Sequence, residues 1–140
     1  MIEFNHRVKV FLYDYLERQP NYLLVRSSQG IEGCWGPLHG PIGLGDQMET
    51  AIRRAVMSDL GIGKPAELID LQMPSRWVLG DEEVIEWNFG FRVPPESREL
   101  QPGERWSDFR WAGFGEAYPT LELEPDRAAI LRLHTMLSEN

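Results

Sequence analysis

The sequence has one cysteine, Cys34, among its 140 residues, which excludes an internal disulfide. With only three histidines beside it, no cysteine–histidine spacing of a metal site exists. No apolar run approaches the roughly 20 residues that a membrane-spanning helix needs. The opening segment MIEFNHRVKVF lacks the pattern of a signal peptide. Positive charge is scarce too: 14 Lys and Arg stand against 22 Asp and Glu, a formal net charge of −8. That balance argues against DNA, RNA or an anionic membrane as partner. It leaves room for a small phosphorylated ligand, because a local pocket can be basic on an acidic protein. What is present is ordinary for a soluble domain, with 42% hydrophobic and 26% charged residues. The expectation is a single cytoplasmic domain covering 1–140, long enough to bury a sizeable core.

Along the chain, RVKVFLYDY (7–15) is β-branched and aromatic and reads as a strand, with NYLLVRS as its hairpin partner after a Gln-Pro turn. CWGPLHGPIGLG (34–45) is too rich in glycine and proline for a regular interior element. Asp46 then stands where a helix N-cap belongs, with Glu49 three residues on, the arrangement of a capping box. Met48, Ile52, Val56 and Leu60 recur every four residues and give one apolar stripe; Gly61 supplies a stop. AELIDLQMPSRWVL and EVIEWNFGFRV read as two strands joined by GDEE. In the second, alternation puts Glu86 on the face opposite the row Ile85, Trp87, Phe89 and Phe91. SDFRWAGF reads as a short strand and EPDRAAILRLHTML as a terminal amphipathic helix opened by Pro125. Strands on both sides of an internal helix, with a second helix closing the chain, predict an α/β fold with a mixed sheet covered on both faces.

This order resembles the Nudix hydrolases, whose signature is G-x5-E-x7-R-E-U-x-E-E-x-G-U, with U a bulky apolar residue. Gly40, Asp46 (a shorter acid), Arg54, Val56, Gly61 and Ile62 fall on the pattern. Upstream, WGPLHGPIGLGD resembles the family's Leu-Pro-Gly-Gly and Pro-Gly-Glu run, with Trp35 and Gly45 in place. Downstream, ERWSDFRWAGFGEA resembles the branch acting on dATP, dihydroneopterin triphosphate or dinucleoside polyphosphates. The resemblance implies an α/β/α sandwich and hydrolysis of nucleoside diphosphate-linked substrates by a magnesium- or manganese-bound water. It also implies that three helix glutamates hold the metals. Those positions are Ala55, Ser58 and Asp59 here, so the box is degenerate and activity is expected to be weak or absent.

Under that resemblance Asp59 is the principal candidate metal ligand, with Glu86 and Glu104 as further candidate catalytic acids. Glu86 either lines the cleft or is a solvated strand residue. Two other function classes stay open beside weak hydrolysis: a metal-independent nucleotide- or phosphate-binding module, and an interaction domain on the same scaffold. For the binding module Arg26, Arg54 and Arg105 are the candidate phosphate contacts, because a guanidinium grips phosphate without a cation. Arg105 falls, in this alignment, where the related branch has an acid. Arg54 is expected to pair with Asp46 or Asp59, and Asp46 to cap rather than ligate. Trp35 is expected to pack on the glycine-rich loop. Trp106, Phe109 and Trp111 are expected to pack, and His6, His39 and His134 to be structural or surface residues. Cys34 has no cue for a lowered pKa. A homodimer is compatible with the sequence, but nothing in it specifies one.

Overall fold

The computed structural model describes residues 3–27, 34–97 and 106–139. Its centre is strand β1 (Glu3–Leu16). β1 runs parallel to β6 (Glu82–Arg92) and antiparallel to β2 (Gln19–Ser27) and β4 (Leu38–Pro41). β6 pairs antiparallel with β5 (Glu67–Leu79), and β2 pairs with β3 (Trp35–Gly36) and β7 (Trp106–Gly113). The result is a mixed seven-stranded sheet among the described residues. Helix α1 (Met48–Leu60) covers one face; α2 (Phe114–Thr120) and α3 (Glu124–Ser138) cover the other. The α/β/α sandwich expected from the sequence is the fold observed.

Period-two alternation explains why the sheet can be covered twice. Val8, Val10 and Leu12 of β1 join Phe89 and Phe91 of β6 beneath Ala51, Ile52 and Val56 of α1. The intervening Phe11 and Tyr13 join Tyr22 and Leu24 beneath Ala129, Ile130 and Leu133 of α3. Gly90 lets α3 approach the sheet closely, since a Cβ there would lie 2.7 Å from Leu133 Cδ1.

Local structure departs from expectation in four places. The stretch 34–45, read as too rich in glycine and proline for a regular interior element, supplies β3 and β4, because short pairings to β2 and β1 need few residues. The first hairpin turns at Glu17–Arg18, both in the left-handed region (φ 51° and 70°), while Gln19 and Pro20 already belong to β2. A two-residue turn with both φ positive matches the twist of the strands it joins. That requirement outweighs the turn preference of Gln-Pro. The N-cap of α1 is Gln47, without a side-chain hydrogen bond, so Asp46 does not cap. Glu49 does not reach back either, and pairs with Arg53 one turn on at 2.7 Å. The short helix α2 was not expected at all. Gly61 does end α1 in the left-handed conformation (φ 73°), its N–H donating to Met57 O at 2.9 Å. β5, at one edge of the sheet, is irregular between Asp70 and Pro74, with Gln72 at φ 52°.

Candidate functional site

On the α1 side, the glycine-rich loop is tied to the helix through one carboxylate. Asp46 Oδ2 accepts from Gly43 N at 2.7 Å and from Arg54 Nη2 at 2.5 Å, and the same guanidinium nitrogen donates to Pro41 O at 3.2 Å. The Arg54 hydrogen bond, then that of Gly43, holds the Asp46 carboxyl below the usual carboxylate range. The expected Arg54–Asp46 pairing is therefore present, and what it shapes is the loop. Along α1, Ala55 and Asp59 are buried while Ser58 is exposed. Ala55 packs tightly: a Cβ added at Gly40 would lie 2.9 Å from Ala55 Cβ.

On the α3 side, charge is pulled inside. Lys9, Glu86 and Asp126 are 3%, 3% and 4% exposed. The Lys9 ammonium bonds the Asp126 carboxylate and lies 3.5 Å from Glu86 Oε1, while Arg7 Nε donates to Glu86 Oε2 at 2.5 Å. Arg7 and Glu86 are direct cross-strand partners of the parallel β1–β6 pair. Burial raises the Asp126 carboxyl above its usual range, against the pull of Lys9. Glu86 is thus neither solvated nor open: it is neutralised between two cations.

A third group lies on this same face where β2, β3 and β7 meet. The Arg26 guanidinium lies 5.1 Å from the centroid of the Trp35 ring and that of Arg110 lies 5.8 Å from it. Arg26 also faces Asp108 at 3.5 Å, and Arg110 donates to Glu116 at 2.9 Å. Trp35 packs against the α3-side core, whereas the sequence had pointed it at the glycine-rich loop.

The remaining expectations fall into place around these groups. A hydrogen bond to Glu122, with burial, pushes the Cys34 thiol up to about 11, so it is a poor nucleophile at neutral pH. His6 stacks on Trp87, His39 meets Trp106 edge-on, and His134 stacks on Phe114 while its Nδ1 hydrogen-bonds Tyr22 OH at 2.7 Å. Trp106 and Trp111 pack against the α1-side core; Phe109 is exposed.

The two candidate acids among the described residues are not gathered. Asp59 belongs to the α1 side of the sheet and Glu86 to the α3 side, and Glu104 and Arg105 lie outside the described residues. Among the described residues no three His, Cys, Asp or Glu side chains are placed to hold a metal ion. Divalent magnesium needs an oxygen-rich shell with carboxylate anchors. The described residues therefore do not fit a multi-metal array. Arg26 and Arg54 are likewise apart, the first on the α3 face and the second on α1.

No protein-family sequence model matches this chain, and no curated protein matches it in sequence. Solved structures do match. The C. elegans Ap4A hydrolase, in a binary complex, superposes with a TM-score of 0.77 at 15% identity, over 97% of this chain and 99% of that one. The E. coli dihydroneopterin triphosphate pyrophosphohydrolase gives 0.78 at 17% identity, over 96% and 99%. The chain has the Nudix fold. A third match is the Nudix domain of Shewanella oneidensis NrtR complexed with ADP ribose, with a TM-score of 0.70 at 19% identity over 99% and 88%.

Within the Nudix fold, sequence reading missed Lys9, Asp126 and Arg110. A lysine between Val8 and Val10 of an apolar strand was a usable signal for the first. Its partner sits 117 residues away, and only the parallel register of β1 and β6 with the seat of α3 shows that they meet.

Proposed function

We propose that this protein is a divergent Nudix-family member that binds a small phosphorylated ligand of nucleotide type, with metal-dependent hydrolysis weak or absent. The observation that carries this reading is the state of α1. Ala55 is packed against Gly40, Ser58 is exposed, and the remaining acid, Asp59, is separated by the sheet from Glu86. A metal-bound water supplies several kcal/mol of barrier reduction, so an impoverished ligand set costs roughly a thousandfold or more in rate. Asp59 would be the metal ligand for any residual turnover. The structural neighbours, a hydrolase of Ap4A and a pyrophosphohydrolase of dihydroneopterin triphosphate, support the ligand class.

The test is release of phosphate or pyrophosphate from nucleoside triphosphates, dinucleoside polyphosphates and nucleotide sugars, with magnesium, manganese or chelator. Turnover near background is expected, together with ligand-induced thermal stabilisation that persists in chelator. Brisk metal-dependent turnover that disappears in Asp59→Asn would show instead that α1 remains a working catalytic helix.

A further inference from the structure

Arg26 and Arg110 occupy a diagonal position on the antiparallel β2–β7 pair, where Leu24 faces Arg110 and Arg26 faces Asp108. Leu24 belongs to the α3-side core, so both arginines share its face of the sheet. Diagonal neighbours on one face lie about 7–8 Å apart, within reach of long side chains. Here both guanidiniums converge on one indole, within the distance at which a cation is attracted to an aromatic face. Two like charges gathered at one ring repel each other, and an anion placed between them would relieve that repulsion.

The carboxylates that answer these cations are replaceable. Asp108 stands 3.5 Å from Arg26, and the Glu116 side chain that meets Arg110 is 71% exposed. Exposed pairs of this kind contribute little, so an incoming anion displaces them at small cost. The arginines themselves are accessible, their side chains 39% and 42% exposed. With the protein at −8 overall, a clamp of two guanidiniums is the local device that would let an anion approach.

We propose that Arg26 and Arg110, held over Trp35, clamp the phosphate groups of the ligand and do so without a metal ion; this rests on the phosphorylated-ligand reading above. The guanidinium fork matches phosphate oxygens in a way that an ammonium does not. Because the indole already carries two guanidiniums, its role is to position them, and the clamp reads the anion and not the base.

The test is isothermal titration of the full chain with ADP and, separately, inorganic pyrophosphate, in chelator at low salt. Both are expected to bind, with affinities falling as salt is added. Arg110→Gln should weaken both about tenfold or more, and Arg110→Lys should recover only part of that loss. Arg53→Gln, which removes an exposed arginine on α1, should leave both unchanged. Unaltered binding in Arg110→Gln would overturn the clamp and leave the phosphorylated-ligand reading intact, with its site elsewhere. ADP binding without pyrophosphate binding would also overturn it, since the base would then carry the affinity. Absence of binding by both probes to the unsubstituted protein would remove the clamp, and failure of the entire nucleotide panel would remove the reading beneath it.

Discussion

On the α1 side of the sheet the main polar link, Asp46 to Arg54, stays at the rim and shapes a loop; on the α3 side Lys9, Glu86 and Asp126 are drawn into the interior. A rim link keeps most of its water, so residues around it can change without threatening the fold. Buried charges have surrendered their hydration and depend on one another, so a change in one is felt by all. The contrast sets a rim that tolerates substitution against a face that does not. α1 buries one carboxylate, Asp59, whereas the α3 face joins three buried charges in one network and is fastened to stability.

The largest effect that would break this comparison is on the α3 side. Lys9→Met removes the cation shared by two buried carboxylates, and should destabilise by about 3–5 kcal/mol in urea unfolding. Adding Asp126→Leu should return much of that loss, because burying a charge without its partner is what costs most. If Lys9→Met proved neutral, the network would not be the fastening inferred here.

Next in size is Gly40→Ala on the α1 side. Both Cβ atoms belong to the backbone scaffold, so the helix must shift, at about 1–3 kcal/mol, measured in the same way. A smaller contribution comes from His134, whose pKa burial holds below the ordinary histidine value. The unfolded chain then takes up its proton first as pH falls, so the neutral-ring stability should be lost on going from about pH 7 towards pH 5. His134→Gln should flatten the slope of stability over that interval.

The smallest effect sharpens the rim side. Asp46 titrates below the usual range, so its link to Gly43 and Arg54 is present above the ordinary aspartate value and lost only as pH falls through the depressed one. Arg54→Gln should move that titration upward towards the ordinary value, followed by NMR of the Asp46 carboxyl.

How far the molecule was legible in its sequence follows the same division. Local signals carried well: the four-residue stripe gave α1, Gly61 its end, Pro125 the start of α3, and period two put Glu86 opposite the apolar row of β6. The eight-residue reach from Asp46 to Arg54 was also readable. Where two local preferences competed, the wrong one was chosen, as at Asp46, which has its carboxylate engaged by Arg54 and Gly43 and has none left for the helix end. The candidate site was less legible. Arg110 joins Arg26 and Trp35 only through the register of β7 on β2, and Glu86 changes from a surface acid to an interior one only when β1 is known to lie beside β6.

The irregular stretch of β5 has a consequence for how this molecule meets others of its kind. An edge strand is a template on which a foreign strand can lengthen the sheet. Between Asp70 and Pro74 the regular spacing of donors and acceptors is broken, Gln72 turns through a left-handed angle, and Pro74 offers no N–H. An intruding strand therefore finds its ladder interrupted midway and can zip only along the short runs to either side. Such an interruption is one of the ways an edge strand is made a poor template for fibre-like stacking.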